Sequence, residues 1–134
     1  MSSLWTPDLA LGVEAIDAQH RELFGRADAL LGAVSRGTAA HETFEMLAFL
    51  GEYILDHFGA EERLMAEDGY PDLGRHRAEH AQLVAAYERL RRNFARTGAD
   101  QVLRVELEGV IGDWLVRHVK ATDGRLGRWL LVRR

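Results

Sequence analysis

The sequence has 134 residues, of which 47% are hydrophobic and 28% are charged, as in an ordinary globular domain rather than a disordered chain. The formal net charge of −4 argues against nucleic acid as a partner, and no apolar run approaches the ~20 residues that cross a bilayer. Cysteine is absent, which excludes disulfides, iron–sulfur clusters, thiolate zinc sites and thiol catalysis. We expect one cytoplasmic domain, residues 1–134, with no signal peptide and no membrane insertion.

The chain is predicted to begin with an ordered arm that leads into a first amphipathic helix. Residues 1–16 show no helical period, and Trp5 is expected to pack on the core. Asp17 is a plausible N-cap, and apolar side chains then recur every three or four residues until Gly37, which suits a helix end. His20 lies on this inward stripe, one turn into the helix.

Three more helices with the same periodicity are predicted. The second and third cover residues 39–67 and 73–96, and the fourth follows a break at Gly98 and reaches Asp123 and Gly124. A short tail has Leu126, Trp129 and Leu130 at helical spacing and is expected to fold back over the helices. Strand signals are absent. We therefore predict an all-α, antiparallel up-down-up-down four-helix bundle with an N-terminal arm and a short C-terminal helical tail.

Polar side chains interrupt every inward stripe where an apolar residue is expected. They are His20 on the first helix, His57 and Glu61 on the second, His76 and His80 on the third, and His118 on the fourth. Residues four apart share one helical face, so each pair can bind one metal centre without backbone strain. A single inward histidine is more often a hydrogen-bonded core residue. Six converging polar groups weaken that interpretation, because a buried carboxylate is costly unless it is paired or binds a metal.

The height of these residues in the bundle supports a common site. Glu61 lies ten residues before Pro71 and His80 nine residues after it, so antiparallel helices place the two at about the same level. Asp123 follows His118 by five residues and can turn inward near the helix end. Five histidines and two carboxylates exceed the four ligands of one zinc site and suit two ions that share carboxylates, with iron, manganese and zinc all left open. His41 lies off the stripe and is expected at the surface.

The set of His20, His57-x3-Glu61, His76-x3-His80 and His118-x4-Asp123 resembles the hemerythrin signature over essentially the whole chain. Trp5, Gly12-Val13, Ile16-Asp17 and Gln19-His20 look like bacterial single-domain members of that family. The resemblance implies two iron ions (Fe2+/Fe3+) joined by an oxo or hydroxo bridge. One iron would be held by His76, His80 and His118 and the other by His20 and His57. Glu61 and Asp123 would bridge both.

The resemblance also implies a function, which is reversible dioxygen binding for transport, storage or delivery rather than enzymatic catalysis. The iron with two histidines would keep one open position for dioxygen, and a dry pocket would protect the bound gas from water. Candidates to wall that pocket are Leu23, Phe24, Phe58, Trp114 and Leu115.

Three alternatives compete with this interpretation. A ferritin-like di-metal enzyme would use Glu-x-x-His, but no histidine here has a glutamate three residues before it. A catalytic use of the same site, for example the reduction of peroxide or nitric oxide, stays open. So does a sensor of oxygen, redox state or iron whose output, or whose oxygen, passes to a separate protein partner.

Overall fold

The computed structural model describes residues 4–98 and 101–133, and this part of the chain contains helices and no strands. A 3-10 turn at Pro7–Leu9 precedes the bundle. The helices are α1 (Glu14–Ser35), α2 (Ala40–Asp68), α3 (Leu73–Thr97) and α4 (Gln101–Leu107). From α4 the helical backbone continues through two π-helical stretches, Glu108–Leu115 and His118–Asp123, into α5 (Gly124–Arg133).

Four long helical segments pack as neighbours in chain order. Helix α1 contacts α2, α2 contacts α3, and α3 contacts α4 and the first π-helical stretch, while α1 also contacts α4 and closes the bundle. The predicted antiparallel four-helix bundle is therefore confirmed. Among the described helices, none combines the length and apolarity needed to cross a membrane.

The helix ends lie where glycine permits the chain to turn. Gly69 follows α2 with φ +71°, and its N–H donates to the carbonyl of Ala66, while Tyr70 donates to Met65. Gly37 takes the same left-handed backbone after α1. Positive φ is the conformation that glycine adopts most cheaply, so both residues end their helices, and the end at Gly37 is the predicted one.

The predicted N-cap at Asp17 is wrong, because α1 begins three residues earlier at Glu14. The Asp17 carboxylate instead accepts the backbone N–H groups of Leu11 at 2.8 Å and Gly12 at 3.1 Å. The Asp17 carboxylate therefore satisfies backbone N–H groups of the arm that precedes the helix, and not those of the first helical turn. The arm is ordered as expected over its described residues, and residues 1–3 lie outside them.

The tail does not fold back, which corrects the predicted path of the C-terminus. Gly124 keeps helical dihedral angles of φ −57° and ψ −42°, so α5 extends the fourth helix directly. Leu126 and Leu130 on the apolar face of α5 are buried. Glycine alone did not end the helix because burial beyond it favours continuing the same backbone.

The core consists of two hydrophobic clusters with a polar layer between them. The larger cluster includes Leu23 of α1, Phe58 of α2 and Leu115 of the fourth segment, with the half-buried Trp5 packed against it as expected. The smaller cluster lies on the other side of the polar layer and includes Ile16 and Met65. Each of the four long helical segments contributes residues to both clusters, and the polar layer lies between those residues. His41 is at the surface as predicted, with its side chain 82% exposed beside Glu45.

Candidate metal centre

The structure brings all seven predicted ligand residues into the polar layer. They are His20 on α1, His57 and Glu61 on α2, His76 and His80 on α3, and His118 and Asp123 on the second π-helical stretch. Each is 0–3% exposed. Their side chains form two groups that share Glu61 and Asp123, and within each group the candidate ligand atoms lie within 4.8 Å of one another. Metal–ligand bonds of ~2.1 Å separate opposite ligands of one ion by ~4.2 Å, so both groups are close to metal-binding size.

The π-helical backbone explains why Asp123 reaches the site. In an α-helix, residues five apart point about 140° away from each other. The wider π-helical turn pairs residue i with i+5, which brings such residues close to one face. The structure is π-helical over His118–Asp123, and the Asp123 Oδ1 atom lies 3.3 Å from His118 Nε2. The inward turn of Asp123 therefore arises from the π-helical backbone within a continuing helix, and not from the expected position near a helix end.

One oxygen of each carboxylate faces the group with three histidines. Glu61 Oε1 lies 2.8 Å from His76 Nε2 and 3.2 Å from His80 Nε2. Asp123 Oδ1 lies 2.8 Å from His76 Nε2 and 3.3 Å from His118 Nε2. This group therefore offers three imidazole nitrogens and two carboxylate oxygens.

The second oxygen of each carboxylate faces the group with two histidines. Asp123 Oδ2 lies 3.0 Å from His20 Nε2, and Glu61 Oε2 lies 3.5 Å from His57 Nε2 and 3.9 Å from His20 Nε2. This group offers two nitrogens and two oxygens. Both carboxylates thus divide their oxygens between the two groups, the arrangement by which a carboxylate can bridge two ions.

The inward-facing atoms have no hydrogen-bond partners despite these short distances. Among the described residues, twelve buried side-chain nitrogen and oxygen atoms lack a partner, and eleven of them belong to the seven residues of the site. They include the Nε2 atom of every one of the five histidines and all four carboxylate oxygens. Unsatisfied buried polar atoms cost ~1–3 kcal/mol each, so such a concentration calls for a ligand. Metal ions between these atoms satisfy them together, and the residues fit that role.

Three of the histidines are oriented by hydrogen bonds on the side away from the centre. His57 Nδ1 lies 2.6 Å from Gln19 Oε1, His80 Nδ1 lies 2.7 Å from Glu62 Oε2, and His118 Nδ1 lies 2.9 Å from Glu79 Oε1. An acceptor at Nδ1 places the proton there and leaves Nε2 with a free lone pair toward the centre. The Thr122 hydroxyl donates to the same Glu79 oxygen at 2.7 Å, which fixes that carboxylate.

These acceptors were not identified from the sequence, although a signal for them exists. Each one is the chain neighbour of a ligand, but of a ligand other than the one it orients. Gln19 precedes His20, Glu62 follows Glu61 and Glu79 precedes His80. A polar residue beside an inward ligand points toward the adjacent helix and can reach the outer nitrogen of a histidine there.

Burial and the facing charges move the pKa values of the site in opposite directions. Burial lowers the pKa of His57 to about 4, and the Glu61 carboxylate opposes this only in part. Burial also disfavours the charged form of His76, but Asp123 and Glu61 outweigh it and raise the pKa of His76 to about 9. Burial would raise the pKa of Asp123, yet the imidazoles around it, with His118 first, hold it well below its usual range.

The five predicted pocket residues lie in two environments. Four are fully buried members of the larger hydrophobic cluster, namely Leu23, Phe24, Phe58 and Leu115. Trp114 is only half-buried, and its ring stacks on the His118 ring with centroids 5.0 Å apart and planes at 11°. The structure thus places Trp114 as an outer cover of the group with three histidines.

Fold and site together define a class: a four-helix bundle with a buried centre of histidine and carboxylate ligands. The hemerythrin HHE cation binding domain matches residues 11–130. This chain therefore belongs to the hemerythrin family, and that membership implies a non-haem iron centre at the buried cluster.

Individual relatives agree with this assignment over most of their length. The bacteriohemerythrin of Methylococcus capsulatus is 30% identical over 92% of both chains. The myohemerythrin of Theromyzon tessulatum is 31% identical over 89% of this chain and 86% of its own. A crystal structure of wild-type hemerythrin superposes with a TM-score of 0.81 at 30% identity, covering 96% of this chain and 95% of that one.

Proposed function

We propose that this protein binds dioxygen reversibly at two iron ions held by the seven residues of the candidate metal centre. The observation that carries the proposal is the unequal number of ligand atoms in the two groups. The group with three histidines offers five protein atoms, whereas the group with two histidines offers four. If a solvent-derived oxo or hydroxo group joins both ions, the first is six-coordinate and the second keeps one open position. The iron pair supplies that position and the electrons that dioxygen binding requires.

Each ligand residue has a distinct part in this proposal. His76, His80 and His118 would hold one ion, and His20 and His57 would hold the other. Glu61 and Asp123 would contribute to both ions, because each carboxylate has one oxygen toward each group. The donor set, imidazole and carboxylate without thiolate, is compatible with iron.

Reversibility depends on keeping water and protons away from the bound gas. Leu23 and Phe24 are both 0% exposed and follow His20 by one turn, so we expect them to wall the open position of the two-histidine ion. Phe58 lies next to His57, with ring centroids 5.9 Å apart, and belongs to the same apolar cluster as Leu115. Trp114 seals the centre on the side of His118.

Transport, storage or delivery of oxygen fits this chemistry better than catalysis. Hemerythrins are generally carriers rather than enzymes, and the relatives reported above bear the names bacteriohemerythrin and myohemerythrin. Delivery would require a protein partner that receives the oxygen.

The test is an optical titration of iron-loaded protein. The protein is reduced without air, exposed to oxygen and then returned to an oxygen-free atmosphere. We expect an oxygen-dependent absorption band that disappears when oxygen is removed and returns over repeated cycles. Immediate and irreversible oxidation to the ferric form would overturn the proposal in favour of a redox enzyme or a sensor.

A further inference from the structure

Two surface depressions reach ligand histidines in the described part of the chain, and they differ in character. The first, the apolar depression, has a volume of about 460 Å³ between α2 and α3. Its walls include Leu55, Ala81, Val84 and Ala85, and Phe58 and His80 form its floor. The second, the polar depression, has a volume of about 370 Å³, and its lining includes Glu79, Arg117 and His118.

The floor of the apolar depression is a single layer of side chains above the metal centre. The Phe58 ring stacks flat on the His80 ring, with centroids 3.7 Å apart and planes at 3°. Both residues are at most 3% exposed, so together they close the depression from below. The same Phe58 ring lies 5.9 Å from the His57 ring, which belongs to the other ligand group. Rotation of one side chain would therefore connect the depression with both groups.

We propose that the apolar depression is the route by which dioxygen reaches the metal centre, and that Phe58 is its gate. This inference rests on the proposed function. Dioxygen is small, uncharged and apolar, so it partitions into an apolar surface cavity more readily than ions do. Each depression has one glutamate and one arginine in its lining. The polar depression is less suited, because polar side chains make up most of its lining, whereas apolar residues make up most of the lining of the apolar depression.

The rim of the apolar depression holds its floor in place. Glu62 Oε2 accepts from His80 Nδ1 at 2.7 Å, and Glu62 Oε1 accepts from the Arg77 guanidinium at 3.3 Å. The His80 ring on which Phe58 stacks is therefore anchored from the rim. With His80 held from the rim, the proposed opening is a movement of the Phe58 ring, which is the other residue of the floor.

Filling each depression in turn tests the proposed route. Ala81 and Ala85 are exposed residues of the apolar depression, so Ala81→Trp or Ala85→Trp can occupy it without disturbing the core. Ala121→Trp is the matched control, because Ala121 is an exposed alanine of the polar depression. Iron content and helicity verify that each variant is intact.

We expect Ala81→Trp and Ala85→Trp to slow both oxygen binding and oxygen release by roughly tenfold, since a blocked route raises one barrier crossed in both directions. The oxygen affinity stays unchanged because the bound state is untouched. Ala121→Trp leaves both rates at the wild-type value. The proposal is overturned if only Ala121→Trp slows oxygen binding and release. It is also overturned if none of the three variants slows them.

A second readout does not depend on oxygen binding. Crystals of the iron-loaded protein under xenon pressure should hold xenon against Phe58 in the apolar depression, since xenon occupies apolar cavities of this kind. Xenon found only elsewhere would overturn the proposed route. Wild-type protein that holds xenon there but fails to bind oxygen reversibly would refute the proposed function and leave the gas route standing.

Discussion

Three ligand histidines share one arrangement, in which an acceptor from a neighbouring helix holds the outer nitrogen. The acceptors Gln19, Glu62 and Glu79 each stand beside a ligand in the sequence. The ligands themselves were predictable, because a polar residue on an inward stripe is a conspicuous exception. Their acceptors were not, since half-exposed glutamine and glutamate residues occur on every helix and only the packing of helices shows which one reaches a histidine.

Removal of one such acceptor should weaken metal binding without destroying the bundle. Glu79→Ala removes the partner of both His118 and Thr122. We expect metal affinity to fall by roughly 10–100-fold, since histidine orientation and basicity depend on this contact. Glu88→Ala on the same helix is the control, because the Glu88 carboxylate forms an ion pair with Arg91 of its own helix, two turns beyond His80. Competition with a chelator measures both, and equal affinities would refute the role of Glu79.

A polar residue at Leu23 tests the dry pocket. Leu23→Asn should speed autoxidation of the oxygenated protein several-fold, because an amide beside the open position brings water and protons to it. Leu30→Asn is the matched control, since Leu30 is also 0% exposed on α1 but lies two turns further from His20. The decay of the oxygen-dependent absorption band gives the rate. An autoxidation rate no faster than that of the control would remove Leu23 from the pocket.

At the level of elements, periodicity located the four helices and glycine located two of their ends. Periodicity could not predict the π-helical stretch His118–Asp123, because a pattern of apolar residues does not report a locally widened turn. The five-residue spacing of the two ligands was the only hint of it. The continuation past Gly124 was missed for a related reason: a glycine that suits a helix end also fits within a helix when burial continues beyond it.

Two glycines should respond to alanine in opposite directions. A Cβ added at Gly127 would lie 2.9 Å from the Leu11 Cβ, so Gly127→Ala must displace the arm from α5 and destabilise the protein. At exposed Gly25, in the middle of α1, a Cβ meets nothing within 4 Å. Gly25→Ala should therefore stabilise the fold by ~0.5–1 kcal/mol through helix propensity. Urea unfolding measures both, and an equal effect of the two changes would contradict this packing of the arm.

For the molecule as a whole, the buried polar layer is the feature that most affects stability. Without metal it leaves eleven polar atoms of the centre unpaired between two hydrophobic clusters. Metal binding removes that cost, so folding and metal loading stabilise each other.

The pKa shifts predict how the metal-free protein responds to pH. His57 titrates at about 4 in the folded chain against 6.5 when unfolded, so the unfolded chain holds more protons in that interval and stability rises with pH. His76 titrates at about 9, so the folded chain holds more protons above pH 6.5 and stability falls as pH rises to 9.

We therefore expect the metal-free protein to be most stable near pH 6.5, as measured by urea unfolding at a series of pH values. The iron-loaded protein should show a flatter profile, because its ligands no longer titrate. Stability of the metal-free form that rose steadily from pH 6.5 to 9 would contradict the raised pKa of His76 and its cause, the facing carboxylates of Asp123 and Glu61.

The number of iron ions bound per chain tests the paired metal centre directly. Folded protein is loaded with ferrous iron without air, freed of excess metal and analysed for iron and protein. Two separate groups of ligands that share Glu61 and Asp123 predict two ions per chain. A single ion, or none, in protein with intact helicity would contradict the paired centre on which the proposed function rests.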